Sequence, residues 1–222
     1  MPLPDPAATV LLLRPSLSGF EVLMVERNAR GFFGSMFVFP GGAVEDVDIP
    51  EGVTADDDLA LRNAAIRELA EETGILLTNA GAVRAPEGKG ARFYELLAGQ
   101  PSPAAVDSLV LVSRWVTPEV APRRFDARFY LAGCEDPPEV LIDRAELVDH
   151  EWVTPAAAIA RHEAGVAPMM LPTLAHLRWL ERRASIQDAV SSARGADGRT
   201  LIEPRRGEDG SILPVHLPAE AT

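Results

Sequence analysis

The stretch Arg67-Glu68-Leu69-Ala70-Glu71-Glu72-Thr73-Gly74-Ile75 decides how this chain is read. Strong helix formers run from Asp56 to Thr73, three aspartates at the start suit a helix N-terminus, and Gly74 is a stop signal, so a helix is expected over 56–73. Within it Glu68, Glu71 and Glu72 stand at i, i+3 and i+4. At about 100° per residue, Glu71 lies near −60° and Glu72 near +40° from Glu68, whereas Ile66, Leu69 and Thr73 cluster roughly 100–160° away. The carboxylates therefore share one face and the apolar residues another. Three like charges this close repel, and hard oxygen donors on one rigid face suit Mg²⁺ or Mn²⁺. Such a triplet alone is better explained by a solvated acidic face, so its surroundings have to decide.

Upstream, Phe39-Pro40-Gly41-Gly42 reads as a strand end feeding two glycines, which let backbone approach a ligand or metal closely. Together the two segments resemble the box of the Nudix hydrolase family: Gly, five residues, Glu, seven residues, then Arg-Glu-apolar-any-Glu-Glu-any-Gly-apolar. The second half matches in full through Ile75. The first half is interrupted. Gly42 and Arg67 are 25 positions apart where the family has 14, an insertion of 11 residues within 43–58. Leu59 stands where the leading glutamate belongs, which leaves Glu45, Asp46, Asp48 and Asp56 to Asp58 as replacements. An interrupted box is similar to the branch containing peroxisomal coenzyme A diphosphatases and their bacterial relatives. Trp115-Val116-Thr117-Pro118 with Arg123-Arg124-Phe125-Asp126 also looks like that branch, and Leu23-Met24-Val25-Glu26-Arg27 before Phe39-Pro40-Gly41-Gly42 loosely resembles a coenzyme A signature.

The resemblance implies a Nudix-type α/β/α sandwich around a central mixed β-sheet, and metal-dependent hydrolysis of a diphosphate in a nucleotide-containing small molecule, coenzyme A or acyl-coenzyme A among them. It implies a catalytic group of Glu68, Glu71, Glu72 and Arg67, with Glu68, Glu71, Glu72 and the Gly42 carbonyl as ligands of Mg²⁺ or Mn²⁺. A base from a distant loop is drawn from Asp143, Glu146 and Glu151. Arg27, Arg30, Arg123 and Arg124 are candidates for substrate phosphates, because a guanidinium fork matches phosphate oxygens, and Phe125 for stacking, although surface ion pairs and core packing explain them equally well. ADP-ribose and dinucleotides are rival substrates. A catalytically silent ligand-sensing or assembly domain is a rival of another class, opposed by the intact glutamates.

Bulk properties agree. The 222 residues, 47% hydrophobic and 24% charged, fit one globular domain over 1–190. An extended tail is expected over 191–222, where Asp197-Gly198 and Asp209-Gly210 turns flank short apolar runs, packed on the core or on the partner in a homodimer. A net charge of −12 repels polymer nucleic acid, and it obliges a phosphate-handling site to recruit cations. The single Cys134, the lack of a long apolar run and the N-terminal sequence lead to the expectation of a cytoplasmic chain with no membrane association. Gly88-Lys89-Gly90 lacks the spacing and the Ser or Thr of a phosphate loop and is read as a flexible loop. His162-Glu163 lacks the second histidine of a zinc protease motif.

Overall fold

A computed structural model describes residues 3–28, 36–204 and 217–218. Its centre is β1 (Asp5–Ser16), an almost continuously apolar strand that is buried on both faces. Side-chain alternation sends Leu11 and Leu13 into one core and Ala8, Val10 and Leu12 into the other, so the strand is the floor of two layers at once. On one edge it pairs in parallel with β8 (Phe125–Gly133), which pairs with β7 (Val110–Val116), which in turn pairs in parallel with β10 (Leu201–Ile202). On the other edge two strands share β1: β2 (Gly19–Arg27) at Leu13 to Ser16 and β4 (Gly41–Ala43) at Ala7 to Thr9. β2 continues outward to pair with β3 (Met36–Val38) and β9 (Leu147–Val153). Parallel and antiparallel pairs coexist in this eight-stranded sheet, so it is mixed.

Helix α1 (Asp58–Thr73) covers one face, burying Leu61, Ala64, Ala65, Ile66, Leu69 and Ala70. Asp57 caps its first turn by accepting from the Leu59 amide at 3.0 Å, and Gly74, at φ 69°, closes it. The short hairpin β5 (Ile75–Thr78) and β6 (Gly81–Arg84) and helix α2 (Ala91–Leu97) fill the rest of that layer. Helices α3 (Pro155–Glu163), α4 (Leu171–Glu181) and α5 (Ile186–Gly195) cover the opposite face. The result is the three-layer α/β/α arrangement with a mixed central sheet.

Ile75 to Leu77 lie in a separate two-stranded sheet. Helix α4 stops at Glu181, and the Ser185 side chain, accepting from the Asp188 amide, starts α5. The expected 190/191 boundary falls inside α5, and Leu201-Ile202 joins the main sheet. The Asp209-Gly210 turn and the Ile212-Leu213 run lie outside the described residues. Among the described residues no helix is long and apolar enough to cross a membrane.

Candidate metal and diphosphate site

Arg67 is the hub of the acidic face. Its side chain is 1% exposed, yet every edge of the guanidinium is engaged. Nε and Nη2 each donate to Asp48 at 2.8 Å, Nη2 also donates to the Ala43 carbonyl at 3.1 Å, and Nη1 reaches Glu68 at 3.0 Å and Glu71 at 3.4 Å. Burial alone would lower its pKa, but the hydrogen bonds of Asp48 and the charges of Glu68, Asp48 and Glu71 outweigh that and hold it above the ordinary arginine value. Asp48 is itself fully buried, and it also accepts from the Tyr94 hydroxyl at 2.7 Å and the Glu45 amide at 2.8 Å. Of the carboxylates that the interrupted box left open, Asp48 is thus the one forked onto Arg67. Glu45 is 3.9 Å away and largely exposed, Asp57 caps α1, Asp58 binds Arg62 and Tyr130, and Asp56 binds Thr54.

The three glutamates are held differently. Glu72 is the most enclosed: Arg27 donates to Oε1 at 2.8 Å and the Gly41 amide to Oε2 at 2.9 Å. Burial pushes its pKa up to about 8, with the Arg27 charge opposing and the Glu68 charge adding. Burial also raises Glu68, partly offset by Arg67. Glu71 is raised by burial against the Gly90 amide, which donates to Oε1 at 2.7 Å, and against Arg67. Gly42 makes room for this packing, since a Cβ there would lie 2.4 Å from Glu68 Oε1.

Of the expected phosphate contacts, Arg27 is brought into the acidic face and Arg30 lies outside the described residues. Arg123 pairs with Asp5 at 3.4 Å with its guanidinium 4.7 Å over the Phe125 ring, and Arg124 donates to the Thr117 carbonyl at 3.0 Å. No hydrogen bond or ion pair among the described residues joins those three to the glutamates. Trp115 is a core residue, 3% exposed, donating to Ser113 at 3.0 Å. A groove of about 420 Å³ lined by Asp58, Arg62, Arg194 and Arg199 lies at the N-terminal end of α1. By helical rise that is about 20 Å from Glu72, and of the expected site residues only Asp58, a candidate for the leading carboxylate, lines it.

Geometry also sorts the loop carboxylates. Glu151 pairs across the strands with Met24, whose side chain lies in the α3–α5 core, and it ion-pairs with Arg161 of α3. That is the sheet face opposite α1. Asp143 and Glu146 sit at the C-terminal end of α1: the Asp143 amide donates to the Glu72 carbonyl at 3.1 Å, and the Glu146 charge is felt at Glu72.

Among the described residues no three acidic, histidine or cysteine side chains form a ready-made metal cage; the glutamates are engaged by Arg27, Arg67 and the Gly41 and Gly90 amides. The donor set nevertheless fits a divalent cation. It consists of hard carboxylate oxygens with lone pairs to spare, all three glutamates are held above their ordinary pKa by burial, and the glycine cradle keeps Glu68 in place.

The three-layer fold with its glutamate face defines a Nudix domain, and the chain belongs to the Nudix hydrolase family: the family described as the NUDT19 Nudix domain matches residues 48–179. A solved NUDIX hydrolase from Alicyclobacillus acidocaldarius is similar over 86% of this chain and 97% of its own, at 30% identity and a TM-score of 0.73. Putative nudix hydrolase 7 of Caenorhabditis elegans is 30% identical over 73% of this chain and 56% of its own length. The Homo sapiens acyl-coenzyme A diphosphatase NUDT19 is 25% identical over 78% of this chain and 64% of its own. The chain therefore spans less than two thirds of the length of these two relatives.

Proposed function

We propose that this protein hydrolyses the diphosphate linkage of a nucleotide-containing small molecule with Mg²⁺ or Mn²⁺, and that coenzyme A or an acyl-coenzyme A is the substrate class. The observation that carries the reading is the convergence of Glu68, Glu71 and Glu72 with Arg67 and Arg27 toward the C-terminal end of α1, where Glu72 is 3% exposed and burial raises the pKa of all three glutamates. A divalent cation binding there would offset the desolvation and mutual repulsion of these carboxylates. The acyl-coenzyme A class rests on the similarity to the human acyl-coenzyme A diphosphatase and on the interrupted box.

Glu68, Glu71 and Glu72 would hold the metal, and the backbone carbonyl beside them is that of Gly41, which accepts from Arg27 next to Glu72, rather than that of Gly42, which is paired with Ala8 in the sheet. A bound cation would neutralise charge on the diphosphate and lower the pKa of water. Arg67 does not touch substrate; pinned by Asp48, it fixes the directions of Glu68 and Glu71. Asp48 stands in for the box's leading glutamate. We assign to Glu146, whose charge acts on Glu72, the role of taking the proton of the attacking water. Arg27, with its side chain 40% exposed, offers the substrate phosphates a cation beside Glu72.

The test is a parallel panel of coenzyme A, acyl-coenzyme A, ADP-ribose and reduced dinucleotides with either metal, products being identified by mass. Release of 3′,5′-ADP and phosphopantetheine products from the coenzyme A substrates is expected. Preferential turnover of ADP-ribose or dinucleotides would reassign the substrate, and inactivity on the whole panel would favour the sensing domain.

A further inference from the structure

The Gly88-Lys89-Gly90 segment matches no phosphate-loop pattern, yet its backbone and side chain both reach the acidic face. The Gly90 amide donates to Glu71 Oε1 at 2.7 Å. Lys89 Nζ reaches Asp143 Oδ2 at 2.5 Å and Glu146 Oε1 at 3.2 Å, which span a loop more than fifty residues further along the chain. Gly90 sits at φ 52° and ψ −127°, a conformation that residues with a side chain rarely adopt, so a glycine is needed to aim this amide.

The loop that Lys89 grips has two other tethers. On one side its backbone covers the end of α1, with the Leu141 amide on the Thr73 carbonyl at 2.8 Å and the Asp143 amide on the Glu72 carbonyl at 3.1 Å. On the other, the Glu146 carbonyl accepts from the Asn28 amide at 2.9 Å, just past Arg27. These bonds fix the loop's path. Among the described residues, the Lys89 ammonium is the group that holds the Glu146 carboxylate, at 3.2 Å.

We propose that Lys89 is a positioning residue: bridging Asp143 and Glu146, it latches the 141–147 loop against the end of α1 so that Glu146 faces the site of hydrolysis, while Gly90 sets Glu71 from the same segment. Lys89 acts through Glu146 and does not itself bind substrate. This rests on the hydrolase reading above. Without the latch, a carboxylate that is half exposed is free to swing into water. The loop stays tied to the helix by its backbone, so the fold survives.

The experiment compares Lys89→Met, Lys89→Arg, Glu146→Gln and the Lys89→Met/Glu146→Gln double variant. Lys89→Met is expected to lower kcat about tenfold with KM little changed, Lys89→Arg to restore most of it, and Glu146→Gln to cost about a hundredfold, a normal loss for a general base. The double variant should be no slower than Glu146→Gln alone, because the lysine has nothing left to position. Losses that multiply, a rise in KM with kcat intact, or Lys89→Met matching wild type would each overturn the latch. Amide hydrogen exchange gives a readout independent of turnover. Residues 141–147 should exchange faster in Lys89→Met and at the wild-type rate in Lys89→Arg. If the wild type hydrolyses nothing on the panel, the hydrolase reading fails while exchange still decides the latch, and unchanged exchange sinks it.

Discussion

Two buried polar clusters sit on opposite faces of the same sheet, and they are built on opposite principles. Behind the sheet, His176 is fully buried, with Nε2 2.7 Å from the Ser113 hydroxyl, Nδ1 2.6 Å from the Pro172 carbonyl and its ring stacked on Phe129 at 4.3 Å. Every polar atom of that ring has a partner, and burial lowers its pKa to about 4, keeping it neutral. It joins α4 to β7 and asks nothing of solvent. In front, Asp48, Glu68, Glu71 and Glu72 share two arginines, and the glutamates are held reluctant to ionise. A cluster that balances itself is architecture; the one with more carboxylates than arginines is where the proposed cation site lies.

The sharpest way to break that contrast is Glu72→Gln, which keeps the shape and removes the charge. It should cut turnover with Mg²⁺ or Mn²⁺ by about a thousandfold, read as steady-state product release. A loss under tenfold would make the front cluster as structural as the rear one. Next in size, Asp48→Ala strands the buried Arg67 guanidinium and should cost about 3 kcal/mol in urea unfolding. An unchanged midpoint would show that Glu68 and Glu71 alone can hold the arginine.

The two clusters should also titrate in opposite senses. Glu72 has a folded-state pKa, about 8, above the unfolded carboxylate value, so its contribution is full in acid and is lost as pH rises toward 8. His176, at about 4, lies below the unfolded imidazole value, so its contribution is full above that value and is lost as pH falls toward 4. Urea midpoints in a chelator across pH 4–9 should show Glu72→Gln losing the alkaline limb and His176→Gln the acidic one, on the order of 2 kcal/mol each. Added Mg²⁺ or Mn²⁺ should flatten the alkaline limb and leave the acidic one. The same slope in both variants would contradict the assignment. Smallest of all, Gly42→Ala pushes against Glu68 and should lower turnover about tenfold with little change in KM, measurable in the same assay.

What the sequence made legible follows the periodicities that carry it. The α1 pattern gave its acidic face because 100° per residue needs no tertiary information. Gly41 and Gly42 read as a turn and a close approach, whereas they form β4 against β1, a pairing that three residues with almost no side chain cannot announce. Asp48 was one of several acids in a row. Only folding singles it out, by bringing it to Arg67 across nineteen residues. Lys89 and Gly90 were set aside because they fit no local pattern, and their contacts to Glu71, Asp143 and Glu146 are all non-local. Arg123 and Arg124 show the converse: a guanidinium next to an aromatic reads as a binding site, yet Asp5 and Thr117 already engage them.

The clamp on Asp48 has a consequence for the length of the chain around it. With Asp48 fixed to Arg67 at one end and Asp57 starting α1 at the other, residues 49–56 form an excursion whose two ends are anchored independently of what lies between. Lengthening such a loop twofold costs only about 0.6 kcal/mol of closure entropy. The stretch is accordingly a natural place to splice in a reporter peptide, one carried at the opening of α1 without moving the glutamates near its far end.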